Sequence, residues 1–291
     1  MTDIVQLLIL GILLGGVYGV MATGLTLVYG VMGVVNLAHA VVMVAAAYMA
    51  FFMWQDWGVD PFVSMIATIP VFFAVGMGLY YVFFQRIAGS ARFGEMTVLL
   101  SFGLALVIEG VLGFAFTGIY HTANPGYATK TFDIGSVIVP KGQLYAFVAS
   151  VVLLAALGAI LYFTRVGYAI RATMQNATAA QIVGVNVNRV SAVAFGIGTA
   201  MAGAAGSLMS YLFTFFPGAH WQFIALLLAL TVVGGLGSLR GALVGAIGLS
   251  VAAAFVTDLA GPNWSYLTFY LALFVVLLVR PQGLFGRKVS V

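Results

Sequence analysis

Residues 230–248 read LTVVGGLGSLRGALVGAIG, and this glycine-broken apolar stretch decides the fold class of the chain. In a soluble helix each interior glycine costs about 1 kcal/mol relative to alanine. In a membrane the same residue lets helix backbones pack closely, or lets a helix break where it lines a path. The stretch is therefore typical of the core of a membrane transporter.

The composition of the whole chain also indicates that the protein lies in a lipid bilayer. Hydrophobic residues make up 63% of its 291 positions and charged residues 6%, and the mean hydropathy is +1.15. Too few polar groups remain to cover a soluble globule. At roughly 20 apolar residues per crossing, the length allows about eight to ten transmembrane helices and no sizeable soluble domain. We predict an all-α polytopic membrane protein with a single transmembrane domain, residues 1–291.

Charge and cysteine content exclude several other classes. The net charge of +4 comes from basic residues scattered through short loops, so it indicates membrane topology rather than nucleic-acid binding. Without cysteine the chain has no disulfide and no thiolate metal site. The three histidines are scattered and no catalytic groups cluster, so we predict neither a metal site nor a catalytic residue.

The apolar runs predict nine crossings, and the charges predict their orientation. Nine of the eleven Lys and Arg residues fall on one side when residues 85–95, residues 164–190, Arg240 and the tail after Val279 are assigned to the cytoplasm. The positive-inside rule then places the N-terminus outside and the C-terminus inside. The predicted spans lie near residues 4–30, 36–53, 62–84, 96–118, 143–163, 191–211, 221–236, 241–257 and 264–280.

Three connections carry further predictions. Those near 31–36 and 234–241 have almost no charge, and we interpret both as broken or re-entrant segments. The segment 119–142 contains TFDIGSVIV among proline and glycine residues. This pattern predicts an extended hairpin that caps the periplasmic side.

The longest cytoplasmic loop, residues 165–189, reads RVGYAIRATMQNATAAQIVGVNVNR. It is too polar to face lipid, and it favours one helix over about 168–183 with Gly184 as a left-handed cap. Such a helix either offers itself to a groove on a soluble partner or is an ordinary connection whose basic residues obey topology. Its polar residues are Arg171, Gln175 and Asn176.

Three stretches carry a family resemblance. They read YGVMGVVNLAHA at 29–40, GYAIRATMQNATAAQIVGVNVNRV at 167–190, and VVGGLGSLRGALVG at 232–245 with the ending VRPQGLFG at 279–286. Together they resemble the permease subunits of branched-chain amino acid ABC importers, specifically the smaller of the two permeases. Order, spacing and chain length fit over essentially the whole chain.

The resemblance implies a machine of several subunits in the bacterial inner membrane. This chain would pair with a homologous second permease, two cytoplasmic ATP-binding subunits and a periplasmic substrate-binding protein. ATP and Mg²⁺ would bind the partners, because this chain has no Walker motif and is not expected to be an enzyme or to hold a cofactor. The loop 165–189 would be the coupling element. The residues assigned to that role are Arg171, Ala172, Gln175, Asn176 and Gly184, of which all but Gln175 match the family pattern.

Two departures from the family pattern leave the substrate open. Ala40 and Val41 follow His39 where the family often has glycine and an acidic residue, and Arg240 stands where proline is usual. An apolar route suits amino acids with hydrophobic side chains, but urea, amides and small carboxylates remain alternatives. The rival classes are a stand-alone secondary carrier or channel, an intramembrane enzyme and a purely structural membrane subunit.

Ionisable residues at membrane depth are costly and are therefore candidates for the path. His39 either faces the path or is a neutral imidazole bonded to a backbone carbonyl. Glu109 either binds a substrate ammonium or is a protonated or helix-bonded structural residue. The candidate path residues are Asn36, His39, Glu109, Gly234, Gly235, Gly237 and Ser238. At 234–238 the free backbone groups of a broken helix are expected to line the path. Close-packing faces are predicted at Gly11, Gly15 and Gly19, and at Gly241, Gly245 and Gly248.

Overall fold

The computed structural model describes residues 2–135 and 137–286, which form a bundle of long helices. Within these ranges nine helices are long and apolar enough to cross a membrane, so the predicted number of spans is confirmed. The spanning helices are α1 (Thr2–Met32), α2 (His39–Trp57), α3 (Pro61–Leu79), α4 (Phe93–Phe116), α5 (Lys141–Phe163), α8 (Val187–Leu212), α9 (His220–Gly234), α10 (Leu239–Ala260) and α11 (Pro262–Val279).

Shorter elements complete the chain. A π-helical turn, Tyr80–Phe84, and a short α-helical piece, Gln85–Ile87, extend α3. Between α5 and α8 lie two short helices, α6 (Arg165–Gln175) and α7 (Ala177–Ile182). A 3₁₀ turn, Pro217–Ala219, precedes α9, and two strands, β1 (Thr131–Ile134) and β2 (Val137–Pro140), pair antiparallel before α5.

Helix α8 is the centre of the bundle, and α1, α2 and α3 surround it. Almost all of its side chains are buried, and they are small enough for backbones to approach closely. A Cβ placed at Gly203 would lie only 2.9 Å from the Thr68 carbonyl oxygen of α3. Hydroxyl groups reinforce this contact, because Ser207 lies 2.9 Å from the Thr68 hydroxyl and 3.2 Å from that of Ser64.

Glycine also brings α1 and α10 together. A Cβ placed at Gly11 would lie 2.6 Å from the Val251 Cα, and one at Gly15 would lie 2.7 Å from the Ile247 Cα. The close-packing face predicted for α1 is therefore confirmed. On α10 the prediction holds for Gly241 and Gly245, which pack against Gly234, but it is wrong for Gly248, which has open space beside it.

A hairpin and its neighbouring loop close one end of the bundle. The strands pair Thr131 with Pro140 and Ile134 with Val137, within the segment predicted to be extended. The side chain of Gln6 on α1 bonds both backbone groups of Ile138, by donating to its carbonyl oxygen at 2.6 Å and accepting from its N–H at 2.8 Å. This pair of bonds fixes the hairpin to the start of α1.

A second tie joins the loop before the hairpin to the start of α3. The Tyr127 hydroxyl donates to Asp60 at 3.1 Å, and the same carboxylate oxygen accepts the Phe62 N–H at 2.8 Å as the cap of α3. Burial and the neighbouring Asp60 carboxylate raise the pKa of Tyr127 above its ordinary value. The loop is therefore anchored by a neutral phenol.

Candidate functional site

The first predicted break is a non-helical segment, residues 33–38, between α1 and α2. Gly33 ends α1 with φ +70°, and its N–H donates to the Tyr29 carbonyl oxygen at 2.7 Å. The segment then folds back along α1, because the His39 imidazole reaches the carbonyl of Met21, eleven residues before the end of that helix. At 1.5 Å per residue the chain has returned by about 16 Å.

Of the two possibilities predicted for His39, the structure has the imidazole bonded to a backbone carbonyl. Its side chain is fully buried, and Nε2 lies 3.2 Å from the Met21 carbonyl oxygen. A carbonyl oxygen only accepts, so Nε2 carries the proton. Glycine at position 24 makes the site possible, because a Cβ placed there would lie 2.8 Å from the imidazole Cε1. The ring therefore joins α1 to the start of α2.

Asn36 lies inside the same break and is 2% exposed. Its side-chain oxygen accepts the Ala38 N–H at 3.1 Å, which shapes the turn into α2. The neighbouring Leu37 N–H donates to the Ser101 hydroxyl of α4, also at 3.1 Å. Backbone groups at membrane depth are thus paired by side chains, as a break inside a membrane bundle requires.

The second break, residues 235–238, separates α9 from α10. Gly235 and Gly237 adopt φ of +106° and +78°, values that favour glycine. The Ser238 hydroxyl accepts the Gly241 N–H at 3.1 Å and so caps α10. Both predicted breaks are therefore present at the predicted positions.

The carbonyl groups at the end of α9 differ from expectation. We expected free backbone groups at this break to line the path, but the segment after α11 occupies two of them. The Leu284 N–H donates to the Val233 carbonyl oxygen at 2.9 Å, and the Phe285 N–H donates to that of Gly234 at 3.1 Å. We call residues 281–286 the tail strap. The expectation was wrong for these two groups because the tail strap satisfies them.

The two breaks meet at a small cavity beside α1. It measures about 10 Å³, which is room for roughly one water molecule. A Cβ placed at Gly237 would lie 3.4 Å from the Gly30 Cα, so the second break also touches α1 directly. An amino acid does not fit in this cavity. The cavity is lined by Leu25, Thr26 and Tyr29 of α1, Val35 and Leu236 of the two breaks, and Leu228 and Thr231 of α9.

Glu109 lies elsewhere, on α4 near the hairpin end of the bundle. One of its oxygens accepts the Trp221 indole N–H at 3.3 Å and lies 3.9 Å from Nε2 of His220. The structure therefore separates Glu109 from the two breaks and brings it to the start of α9. Sequence reasoning missed His220, because 111 residues separate it from Glu109 and no motif links them.

The predicted coupling loop contains two helices instead of one. The backbone of Asn176 is extended, with φ −160° and ψ +106°, and it separates α6 from α7. Its side chain accepts the Ala179 N–H at 2.9 Å, because asparagine competes with helix continuation by capping the next helix. Gly184 has φ +89°, so the left-handed cap after the second helix is confirmed.

Arg171 anchors α6 to the end of α5. Its guanidinium lies 4.6 Å from the centre of the Tyr162 ring and 4.9 Å from that of Tyr168. The Arg240 guanidinium donates to the Tyr162 hydroxyl at 3.4 Å. Arg240, unexplained by sequence, thus lies with Arg171 around one tyrosine and connects the second break to α6. Ala172 is half-buried on the same helix, whereas Gln175 and Asn176 are exposed at its end.

A bundle of nine spanning helices, two of whose connections break within it, defines a polytopic membrane protein of the transporter type. Comparison with family models matches residues 7–278 to the family described as branched-chain amino acid transport system / permease component. The chain belongs to this family of permeases.

Individual relatives extend over nearly the whole chain. The high-affinity branched-chain amino acid transport system permease protein BraD of Pseudomonas aeruginosa is 29% identical, over 97% of this chain and 95% of its own length. LivH of Escherichia coli K12, which has the same description, is 27% identical over 95% of this chain and 94% of its own. A probable LivH of Methanocaldococcus jannaschii is 27% identical over 91% and 87%.

A solved structure shares the fold. PsaBC from Streptococcus pneumoniae, determined in complex with a Fab, superposes with a TM-score of 0.51. The alignment covers 96% of this chain and 94% of that chain at 13% identity, so the likeness concerns the fold alone.

Proposed function

We propose that this chain is the permease subunit of a binding-protein-dependent ABC importer in the bacterial inner membrane, and that its substrates are branched-chain amino acids. The observation that carries the proposal is the family match over residues 7–278, together with relatives of that description over most of the chain. A second permease, two ATP-binding subunits and a periplasmic binding protein complete the importer. ATP and Mg²⁺ bind those partners and not this chain.

The sidedness proposed for this importer is N-terminus outside and C-terminus inside. Two contacts support it, because each joins segments that the charge distribution assigns to one side. Gln6 contacts the hairpin at Ile138, and Arg240 contacts Tyr162 beside the loop that contains Arg171. The hairpin end then faces the periplasm, and α6 and α7 face the cytoplasm.

Docking of the ATP-binding subunit is assigned to the loop from α6 to Gly184. Ile182 and Val183 are 81% and 78% exposed on a part of the chain too polar to enter lipid. Exposed apolar side chains outside the membrane favour a protein partner. Gln175 and Asn176 form the polar rim of the same surface.

Two contacts carry movement of this loop to the second break. The first is the stack of Arg171 on Tyr162, whose hydroxyl also bonds Arg240 at the start of α10. The second is Gly30, which touches both Met174 of α6 and Gly237. Because packed interfaces shift between discrete arrangements, a displacement of α6 repositions the break as a unit.

The two breaks form the inner gate in this proposal. Gly237 and Ser238 control the gate through the turn into α10. Gly234 and Gly235 control it through their contact with the tail strap. Asn36 and His39 fix the re-entrant segment against α1. The cavity of about 10 Å³ between the breaks is consistent with a closed gate. Opening requires the segment 33–38 and the segment 235–238 to separate.

Reconstitution tests the function directly. We expect proteoliposomes with the complete importer and its binding protein to transport radiolabelled leucine only when ATP is present on the side of the membrane that carries the ATP-binding subunits. Liposomes with this chain alone are the control, and uptake by them would support a stand-alone carrier and refute the proposal. Competition by urea, amides or small carboxylates in place of isoleucine and valine would overturn the substrate assignment.

A further inference from the structure

The hydrogen bonding of His220 leaves one of its nitrogens without a partner. The ring is fully buried at the start of α9, and Nδ1 lies 3.1 Å from the Pro217 carbonyl oxygen. A carbonyl only accepts, so Nδ1 carries the proton. In the neutral ring Nε2 is therefore a hydrogen-bond acceptor.

This acceptor faces a second acceptor. Nε2 of His220 is buried, has no hydrogen-bond partner in the described part of the chain, and lies 3.9 Å from a carboxylate oxygen of Glu109. The Trp221 indole donates to that same oxygen at 3.3 Å. Only the carboxylate has a donor, the neutral Trp221 indole, and the described residues place no cationic donor between the two acceptors.

The position of Glu109 indicates where such a donor comes from. The residue lies seven positions before the end of α4, about 10 Å along the helix, and its side chain is 28% exposed. An ionisable group at membrane depth faces protein or a water-filled cavity rather than lipid. The exposed part of Glu109 therefore faces water or another protein rather than lipid.

Aromatic rings lie next to the two residues nearest the carboxylate, Trp221 and Gly218. The Phe102 ring lies 5.6 Å from the Trp221 ring, and both side chains are about two-fifths exposed. Gly218 brings its backbone close, since a Cβ placed there would lie 3.4 Å from the second oxygen of Glu109 and 2.9 Å from the Phe216 ring. The site thus combines two acceptors with apolar walls.

We propose that Glu109, His220 and Trp221 bind the α-ammonium group of an amino-acid substrate with an apolar side chain, at a station nearer the hairpin than the two breaks. An ammonium group has three N–H donors, so it bonds the Glu109 carboxylate and Nε2 of His220 together. Aromatic faces attract the same cation, and Phe102 contacts the apolar side chain. The inference rests on the proposed function.

Binding to the purified importer without its binding protein tests the station. We expect Glu109→Gln to weaken binding of radiolabelled L-leucine about 10-fold or more, the effect of losing a hydrogen bond to a charged group. His220→Asn retains a donor for Pro217 but removes Nε2, so it weakens binding similarly. Glu95→Gln, an exposed carboxylate in the first turn of α4, is the matched control and leaves binding unchanged.

Competition on the unmodified importer distinguishes binding of a substrate ammonium group from a proton shared between Glu109 and His220. Isopentylamine, which has the ammonium and lacks the carboxylate, should displace leucine, whereas 4-methyl-2-hydroxypentanoate, which lacks the ammonium, should not. Equal competition by the hydroxy acid, or failure of the amine to compete, overturns the station even if a variant does not fold.

The outcomes also distinguish this inference from the proposed function. An importer that takes up no leucine with its binding protein and ATP refutes the function. The station alone is refuted if the importer transports leucine and the Glu109→Gln variant binds leucine as tightly as the Glu95→Gln variant. The same holds if the transporting importer shows no binding of leucine without the binding protein.

Discussion

Replacing Arg171 by methionine should uncouple ATP hydrolysis from uptake. The guanidinium stacks on Tyr162 at 4.6 Å and Tyr168 at 4.9 Å, and both rings are partly exposed. At exposed sites a cation–π contact contributes about 0.5–1 kcal/mol. Only the Tyr162 contact joins α6 to α5, because Tyr168 lies on α6 itself, so docking of α6 loses about 0.5–1 kcal/mol in the variant. The ratio of docked to undocked α6 then falls by about 2- to 5-fold.

The assay is leucine transported per ATP hydrolysed by the complete importer in proteoliposomes. We expect hydrolysis to continue while this ratio falls, and Arg171→Glu to lower it further because the glutamate is repelled by the faces of both rings. Arg165→Met is the matched control, since Arg165 is an exposed residue in the first turn of the same helix. If both methionine variants transport as much leucine per ATP as the unmodified importer, Arg171 does not couple the subunits.

Three further perturbations address the gate, the tail strap and the periplasmic cap. Gly237→Leu should abolish uptake, because φ is +78° and a Cβ there would lie 3.4 Å from the α1 backbone. Gly248→Leu, beside open space, should transport normally. Equal uptake by the two variants would make Gly237 a packing residue only. Leu284→Pro removes the N–H that bonds Val233 and should lower stability by about 0.5–1.5 kcal/mol relative to Leu284→Ala, measured by thermal unfolding in detergent; identical melting of the two would contradict the role of the tail strap. Burial lowers the pKa of His121 below its ordinary value, so the folded state is favoured while the ring is neutral, and this contribution is lost as pH falls below about 6.5. The melting temperature of His121→Gln should therefore fall less between neutral and acidic buffers than that of the unmodified protein. An equal fall would refute this source of acid sensitivity.

The sequence predicts the spans and breaks well because their signals are local. Apolar runs of membrane length place nine helices in the described residues. Low charge with glycine places the breaks near 31–36 and 234–241, and the structure has them at 33–38 and 235–238. Gly184 follows its helix in the left-handed conformation because a lone glycine after a helical pattern is a strong cap signal. In each case the residues that decide the structure lie within a few positions of one another.

Contacts between distant residues could not be predicted in this way. Asn176 is a good cap by residue type, but the helical pattern on both sides of it predicts one continuous helix, whereas the structure has the cap. The pairing of Glu109 with His220 depends on how α4 meets α9, and the tail strap depends on where α11 ends beneath α9. Gly248 follows Gly245 by three positions on α10, but among the described residues no atom lies within 4 Å of a Cβ placed there.

The tail strap has a consequence for the synthesis of the protein. Ribosomes make α9 about fifty residues before the amide groups that complete its end, because the donors to Val233 and Gly234 belong to Leu284 and Phe285. A nascent chain released at Arg280 therefore contains the nine spanning helices found in the described residues, but it lacks the two donors to the carbonyl groups of Val233 and Gly234. Pairing of the end of α9 therefore waits until residues 284 and 285 have been made, long after the helix itself.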